Sequence, residues 1–207
     1  MMRLFVALSL PDAVAQSLML IQAGVPGARW QSREQLHLTL AFIGEVDGRV
    51  AAMLDDALAG IGAPGFSLQL HGTGQFGEGG ERRPGKVRSG FPSGRATQKY
   101  YRTHALWAGV RPNPALLHLQ RKVDSAIRRV GLPDDAHKFT PHVTVARLRN
   151  PEPGKVVEWL THNALYTSAE FPVGAFHLYS SKLTGDGSVY RIERSYGLEG
   201  FHDQDDD

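Results

Sequence analysis

Two hydrophobic rhythms alternate along the chain. Residues 3–9 (RLFVALS) are apolar at nearly every position and stop at Pro11 and Asp12, which predicts a strand. Val14, Leu18 and Ile21 then recur at helical spacing, so a helix is expected from Pro11 and Asp12 to about Ala23. A strand follows over 37–43 (HLTLAFI), then an Ala- and Leu-rich helix over 47–60, ended by Gly60 and Gly62, then an alternating strand over 66–70 (FSLQL). After a break the order returns. A strand is predicted over 104–110 (HALWAGV), and a helix over 113–130 carrying Leu116, Leu119, Val123, Ile127 and Val130. A strand over 142–148 (HVTVARL), a helix over 154–163, and strands over 171–180 and 187–196 complete the chain. Both halves thus read β-α-β-α-β. The expectation is an α+β fold of two duplicated lobes related by a pseudo-two-fold axis, which would bring equivalent strands together at a central cleft.

Those equivalent strands carry the same tetrapeptide pattern. The first copy is His37-Leu38-Thr39-Leu40 and the second is His142-Val143-Thr144-Val145. In a strand, side chains two apart share a face. Each copy therefore presents a histidine and a threonine to one side and two aliphatics to the other. The third His-x-Thr in the chain, His71-Gly72-Thr73-Gly74, is flanked by glycines that pack no core, and it reads as a turn or strand end.

Two imidazoles around one small volume equip a protein for acid–base work on a phosphodiester. Histidine titrates near neutrality. One neutral ring can take a proton from attacking water while a protonated one supplies the leaving oxygen. Threonine hydroxyls can hold the non-bridging oxygens as charge develops on them. Arg147 lies on the second strand, but its odd spacing from His142 places it nominally on the opposite face. Arg3 is a comparable cation on the first strand.

Composition narrows the picture. The 207 residues suit one domain over 1–202, built of lobes at about 1–76 and 104–202 with exchange of segments allowed between them. Residues 77–103 form a basic Gly- and Arg-rich insertion, which reads either as a surface excursion or as an arm that steers RNA, with Tyr100 and Tyr101 to stack on bases. Residues 203–207 form an acidic, solvated tail. The net charge of +2 includes that tail, so the body is more basic, which suits an anionic partner. The chain has no cysteine, which excludes disulfides, thiolate metal sites and cysteine nucleophiles and fits a reducing compartment, the cytoplasm. The N-terminal apolar run is too short for a membrane span and reads better as a first strand than as a signal peptide. No metal-ligand spacing, phosphate loop, dinucleotide fingerprint or nucleophile elbow is present. Neither a metal nor a cofactor is expected. With no sustained heptad, a monomer is expected.

Taken in order, RLFVALSLP at 3–11, LHLTLAFIGEV at 36–46, ALWAGV at 105–110, KFTPHVTVARL at 138–148 and LYSSKLTGDGSVYRIERSYGL at 178–198 resemble the 2H phosphoesterase superfamily. Within it they are similar to the RNA 2′,3′-cyclic phosphodiesterases, historically called 2′-5′ RNA ligases. The resemblance implies a bilobal fold whose antiparallel sheets line one cleft. It implies metal-independent hydrolysis of a terminal 2′,3′-cyclic phosphate to a 2′-phosphate, on tRNA halves or short oligonucleotides, together with reversible 2′-5′ joining of RNA. It also implies His37 as proton donor, His142 as proton acceptor, and Thr39, Thr144 and Arg147 as phosphate-binding residues. Two alternatives stand beside it: a phosphodiesterase for small cyclic or 2′-5′-linked nucleotides, and a non-catalytic module that binds RNA ends. The intact pairs of histidine and threonine count against the second, since a pure binder has no need of two titrating groups.

Overall fold

The computed structural model describes residues 1–82, 98–133, 138–185 and 187–200, with the backbone alone for 78–82 and 98–102. The chain opens with β1 (Met2–Ser9), α1 (Asp12–Met19), β2 (Arg29–Trp30) and a single 3-10 turn (Arg33–Gln35). It continues through β3 (His37–Val46), α2 (Gly48–Ala59), β4 (Phe66–Leu68), β5 (Leu70–Arg82), β6 (Gln98–Val110), α3 (Pro114–Arg129) and β7 (His142–Arg147). It closes with α4 (Pro153–His162), β8 (Phe171–Val173), β9 (Ala175–Thr184) and β10 (Gly187–Gly197).

Local chemistry explains the boundaries. Asp47 and Asn113 cap α2 and α3, each accepting from a backbone N–H three residues on, at 2.9 Å. Pro114 begins α3, where its missing N–H costs nothing. Three expectations need correction and a fourth is narrowed. The first helix ends at Met19, not near Ala23. The strand expected over 66–70 is two strands, β4 and the start of β5. The strand expected over 171–180 is likewise divided at Gly174 into β8 and β9. Finally, of the turn or strand end expected at His71-Gly72-Thr73-Gly74, the strand end is what forms: the four residues open β5, with an irregular register between Leu70 and Thr73, and Trp107 on β6 fills the space over Gly74, where a Cβ would collide with the indole ring. The backbone of β5 and β6 stays paired out to Arg82 and Gln98, so the segment expected as an insertion begins as a long hairpin. The side chains of Tyr100 and Tyr101, residues 83–97 and the tail at 203–207 lie outside the described residues.

One antiparallel sheet runs β10-β9-β1-β3-β7-β6-β5, with β2 added beside β7. The two expected sheets are continuous through a single residue pair, Leu38 opposite Val143. The chain exchanges strands to build them: the C-terminal hairpin β9–β10 completes the half that begins with β1, while β5 completes the half containing β7. β4 and β8 pair separately. Asp55 on α2 pins the hairpin by accepting from Arg194 (2.8 Å) and from the Tyr196 hydroxyl (2.7 Å).

All four helices cover one face of the sheet. Leu4, Val6, Leu8, Leu38, Leu40, Val143 and Val145 share one core with Leu18, Leu58, Leu116, Leu119, Val123 and Trp159. Truncating one such leucine to alanine costs about 2–5 kcal/mol. The opposite face, which carries His37 and His142, is left open as the cleft.

Candidate active site

The two tetrapeptides stand on the same backbone device. In the first, Ala7 pairs with Thr39 and Val6 with Ala41, so Leu40 is an extra residue. In the second, Trp107 pairs with Thr144 and Leu106 with Ala146, so Val145 is the extra residue. Each motif therefore carries a β-bulge at its fourth position. A bulge changes the in–out alternation of the residues after it. Leu40 and Ala41 are both buried, as are Val145 and Ala146. The next residues, Phe42 and Arg147, then join the His/Thr face. This overturns the parity expectation for Arg147, which lines the same cavity as His37, Thr39, His142 and Thr144.

That cavity measures about 710 Å³. Each imidazole is oriented in the same way. His37 Nδ1 donates to the Gln35 carbonyl at 2.8 Å, and His142 Nδ1 donates to the Thr140 carbonyl at 2.7 Å. A carbonyl can only accept, so the proton sits on Nδ1 and Nε2 is left as the working nitrogen of both rings.

The walls differ. His37 sits among Phe5 (centroids 4.9 Å apart), Tyr190 (5.1 Å) and Tyr179 (6.1 Å), with Phe5 stacked on Tyr179. His142 meets Phe76 edge-on at 4.7 Å and Trp107 at 6.2 Å. Burial pushes the His37 pKa down to about 4. The bond to Gln35 works against that shift, and the charge of Arg147 adds to it. Burial also lowers the pKa of His142, again opposed by its carbonyl partner and reinforced by Arg147. One guanidinium thus acts on both rings.

A second cavity, of about 520 Å³, adjoins the first and shares Thr39, Phe42, Phe76 and His142 with it. Leu40, Ala41, Gln120, Asp124, Lys138, Phe139 and Thr140 complete its lining, and His37 does not reach it. Phe5, Phe76, Trp107, Tyr179, Tyr190 and Arg29 were not found as site residues from sequence. For Phe5 the signal was available, since it shares strand parity with the face that packs His37. For Arg29 there was none, because β2 is only two residues long. The remaining described histidines line neither cavity: His71 bonds Thr167, and His177 bridges Ser9 and Ser195. No group of three or more His, Asp or Glu side chains arranged to hold a metal occurs among the described residues. Among them no helix is long and apolar enough to cross a membrane.

Comparison with known proteins decides the family. A protein of Thermus thermophilus named RNA 2′,3′-cyclic phosphodiesterase is 33% identical, over 97% of this chain and 92% of its own length. The chain belongs to the RNA 2′,3′-cyclic phosphodiesterase family. A family member from Archaeoglobus fulgidus is 28% identical over 94% of this chain and 99% of its own. The description "LigT like Phosphoesterase" matches residues 8–85, and "2′-5′ RNA ligase superfamily" matches 90–185. Each match contains one copy of the His/Thr motif, as expected of a duplicated family fold. Among solved structures, TT0787 of Thermus thermophilus superposes with a TM-score of 0.69 at 26% identity, covering 97% of this chain and all of that one. E. coli LigT complexed with 3′-AMP superposes at 0.70 with 24% identity, covering 96% and 98%, and shares the two-lobed α+β fold.

Proposed function

We propose that this protein hydrolyses RNA 2′,3′-cyclic phosphate ends to 2′-phosphates through His37 and His142. The observation that carries the reading is the symmetric pair of anchored imidazoles: one cavity, two rings, and each Nδ1 tied to a backbone carbonyl so that each Nε2 is the nitrogen left for substrate. The relatives' names supply the substrate.

In the proposed step, His142 Nε2 takes a proton from water as its oxygen attacks phosphorus. The P–O3′ bond breaks and the electron pair goes to O3′, which receives the proton from His37 Nε2. The products are a 2′-phosphomonoester and a free 3′-hydroxyl. Exchange with solvent then returns a proton to His37 and removes one from His142. Arg147, Thr39 and Thr144 hold the non-bridging oxygens. Preorganised donors of this kind supply the larger share of such catalysis, and each acid or base about 10²–10⁴-fold. The assignment of acid and base is supported by the second cavity, which reaches His142 and not His37 and so gives a nucleophile a route to the base. A 5′-hydroxyl entering there in place of water would form a 2′-5′ bond, the reversible joining that the resemblance implies.

Burial leaves both rings neutral near pH 7 in the free protein, so His37 must gain its proton. The bound phosphate anion favours that protonation. The test is incubation with a short RNA ending in a 2′,3′-cyclic phosphate, in EDTA, with identification of the product isomer. A 2′-phosphate is expected. A 3′-phosphate, or no conversion, would overturn the reading.

A further inference from the structure

The carbonyl that orients His37 belongs to a residue whose side chain is itself tied on two sides. Gln35 closes the 3-10 turn before β3. Its backbone N–H donates to the Ser32 carbonyl at 3.0 Å, and its Oε1 accepts from the Ser32 N–H at 3.0 Å. This is a capping box, which fixes the turn in both directions. Gln35 Nε2 then donates to the Ser188 carbonyl on β10 at 2.8 Å, 153 residues further along the chain. The backbone carbonyl of the same residue accepts from His37 Nδ1 at 2.8 Å. One half-buried glutamine therefore joins the ring, the turn and the start of β10.

The far end of this link is shaped to receive it. Ser188 follows Gly187, whose φ of +143° side chains rarely adopt. A Cβ there would lie 3.2 Å from Arg29 Nη2 and 3.6 Å from Gln35 Nε2. The Thr184 hydroxyl donates to the Gly187 carbonyl at 2.8 Å and closes the hairpin. Further along β10, Tyr190 meets the His37 ring edge-on, with centroids 5.1 Å apart. The hairpin thus reaches His37 twice, through the Tyr190 ring and through the Gln35 amide. The second motif is anchored differently. Thr140, whose carbonyl holds His142, uses its hydroxyl on the Lys138 carbonyl at 3.5 Å, two residues away.

We propose that Gln35 is a positioning residue: its side-chain amide couples the tip of the β9–β10 hairpin to the His37 ring and keeps Nε2 of that ring turned to the phosphate. This rests on the proposed function, in which His37 Nε2 protonates the leaving O3′. The bond from Nδ1 sets both the tautomer and the plane of the ring. A carbonyl free to turn would let the proton of the neutral ring move to Nε2 and let the plane drift. Misplacing a reacting group by about 1 Å costs on the order of 10²-fold, so a partial loss of orientation should cost about tenfold.

Two variants test this from opposite ends of the link. Gln35→Met keeps the length of the side chain and removes both amide bonds. Gly187→Ala displaces the turn that carries Ser188. Each is read on RNA ending in the cyclic phosphate and on a nucleoside phosphodiester whose leaving group is p-nitrophenolate, which needs no acid. Gln35→Met should lower kcat about tenfold on the cyclic phosphate and only about twofold on the p-nitrophenyl ester, with KM moved by no more than about twofold. NMR of the ring nitrogens near pH 7 should show His37 passing from Nδ1–H to a mixture of tautomers, while His142 keeps Nδ1–H. Gly187→Ala should do the same more weakly. The double variant should be no worse than Gln35→Met, because both changes break one link. A thermal melt verifies that the variants fold. Equal losses on the two substrates, or an unchanged His37 tautomer, overturn the positioning role. A raised KM with kcat unchanged overturns it too, because Gln35 is then a substrate contact. Additive losses in the double variant overturn the coupling to the hairpin. Absence of turnover in the unaltered protein overturns the proposed function, while the NMR, which needs no substrate, still decides whether the amide holds the ring.

Discussion

His37 and His142 share a backbone template: a strand, a bulge at the fourth motif position, and a carbonyl two residues upstream that fixes the ring. Their surroundings are not shared. Where the first motif places Phe42 after its bulge, the second places Arg147. Where His37 is closed in by Phe5, Tyr179 and Tyr190, His142 opens onto a second cavity. Duplication thus supplies the geometry twice, and the residues around it separate the two rings chemically. Burial pushes both rings towards the neutral form, His37 to about 4, so their division into acid and base follows from which ring a nucleophile can reach and not from their affinities for protons. The deeper ring faces the leaving oxygen in our reading, and the more open one faces the nucleophile.

The sharpest way to break this comparison is to remove each ring and change the leaving group. His37→Ala is expected to lower kcat about 10²–10⁴-fold on the cyclic phosphate, and to recover most of that on a nucleoside phosphodiester whose leaving group is p-nitrophenolate, which needs no acid. His142→Ala should lose a similar factor on both substrates. Recovery by His142→Ala instead would reverse the roles, and recovery by neither would deny the division.

Arg147 comes next, because the first half has no counterpart to it. Arg147→Ala should cost about 10²–10³-fold in kcat/KM through lost stabilisation of the phosphate oxygens. It should also shift the pH profile. In the unaltered protein both histidine pKa values are lowered, His37 to about 4, so the bell of kcat/KM lies below pH 6.5. Its limbs belong to the pair rather than to single rings. Removing the cation raises the affinity of both rings for protons, so both limbs move to higher pH. Arg147→Phe, which copies the first half, should do the same, whereas a drop in rate with unmoved limbs would mean that the charge acts on substrate alone.

The smallest effect concerns the wall behind His142. Gly74→Ala places a methyl group into the Trp107 ring, and overpacking of this kind costs about 1–3 kcal/mol. Denaturant melts should show that loss. The His142 ring, which packs against Trp107, should show a changed NMR titration, and the His37 ring should not. Equal changes at both rings would mean that the two walls are mechanically one.

Much of the fold was legible because strand and helix rhythms are local. The faces of β1, β3 and β7 follow from alternation, and α2 and α3 from spacing and caps. The places misread or left open are those where a distant residue decides. Gly72 and Gly74 look like turn residues until Trp107 covers one of them from β6. Arg147 looks misplaced until the bulge at Val145 is seen, and no property of Val145 itself announces a bulge.

By itself, then, the sequence determined the element order, the two His/Thr faces and the chemistry those side chains make available, because each of these depends on neighbours within a few residues. Tertiary structure alone decided which strands pair across the exchange of β5 and β9, and that Leu38 meets Val143. It also decided that Arg147 turns into the cleft, that Arg29 stands beside it, and that burial depresses one histidine as far as about 4. These depend on register and desolvation, which arise only when residues remote in the chain exclude water from one another.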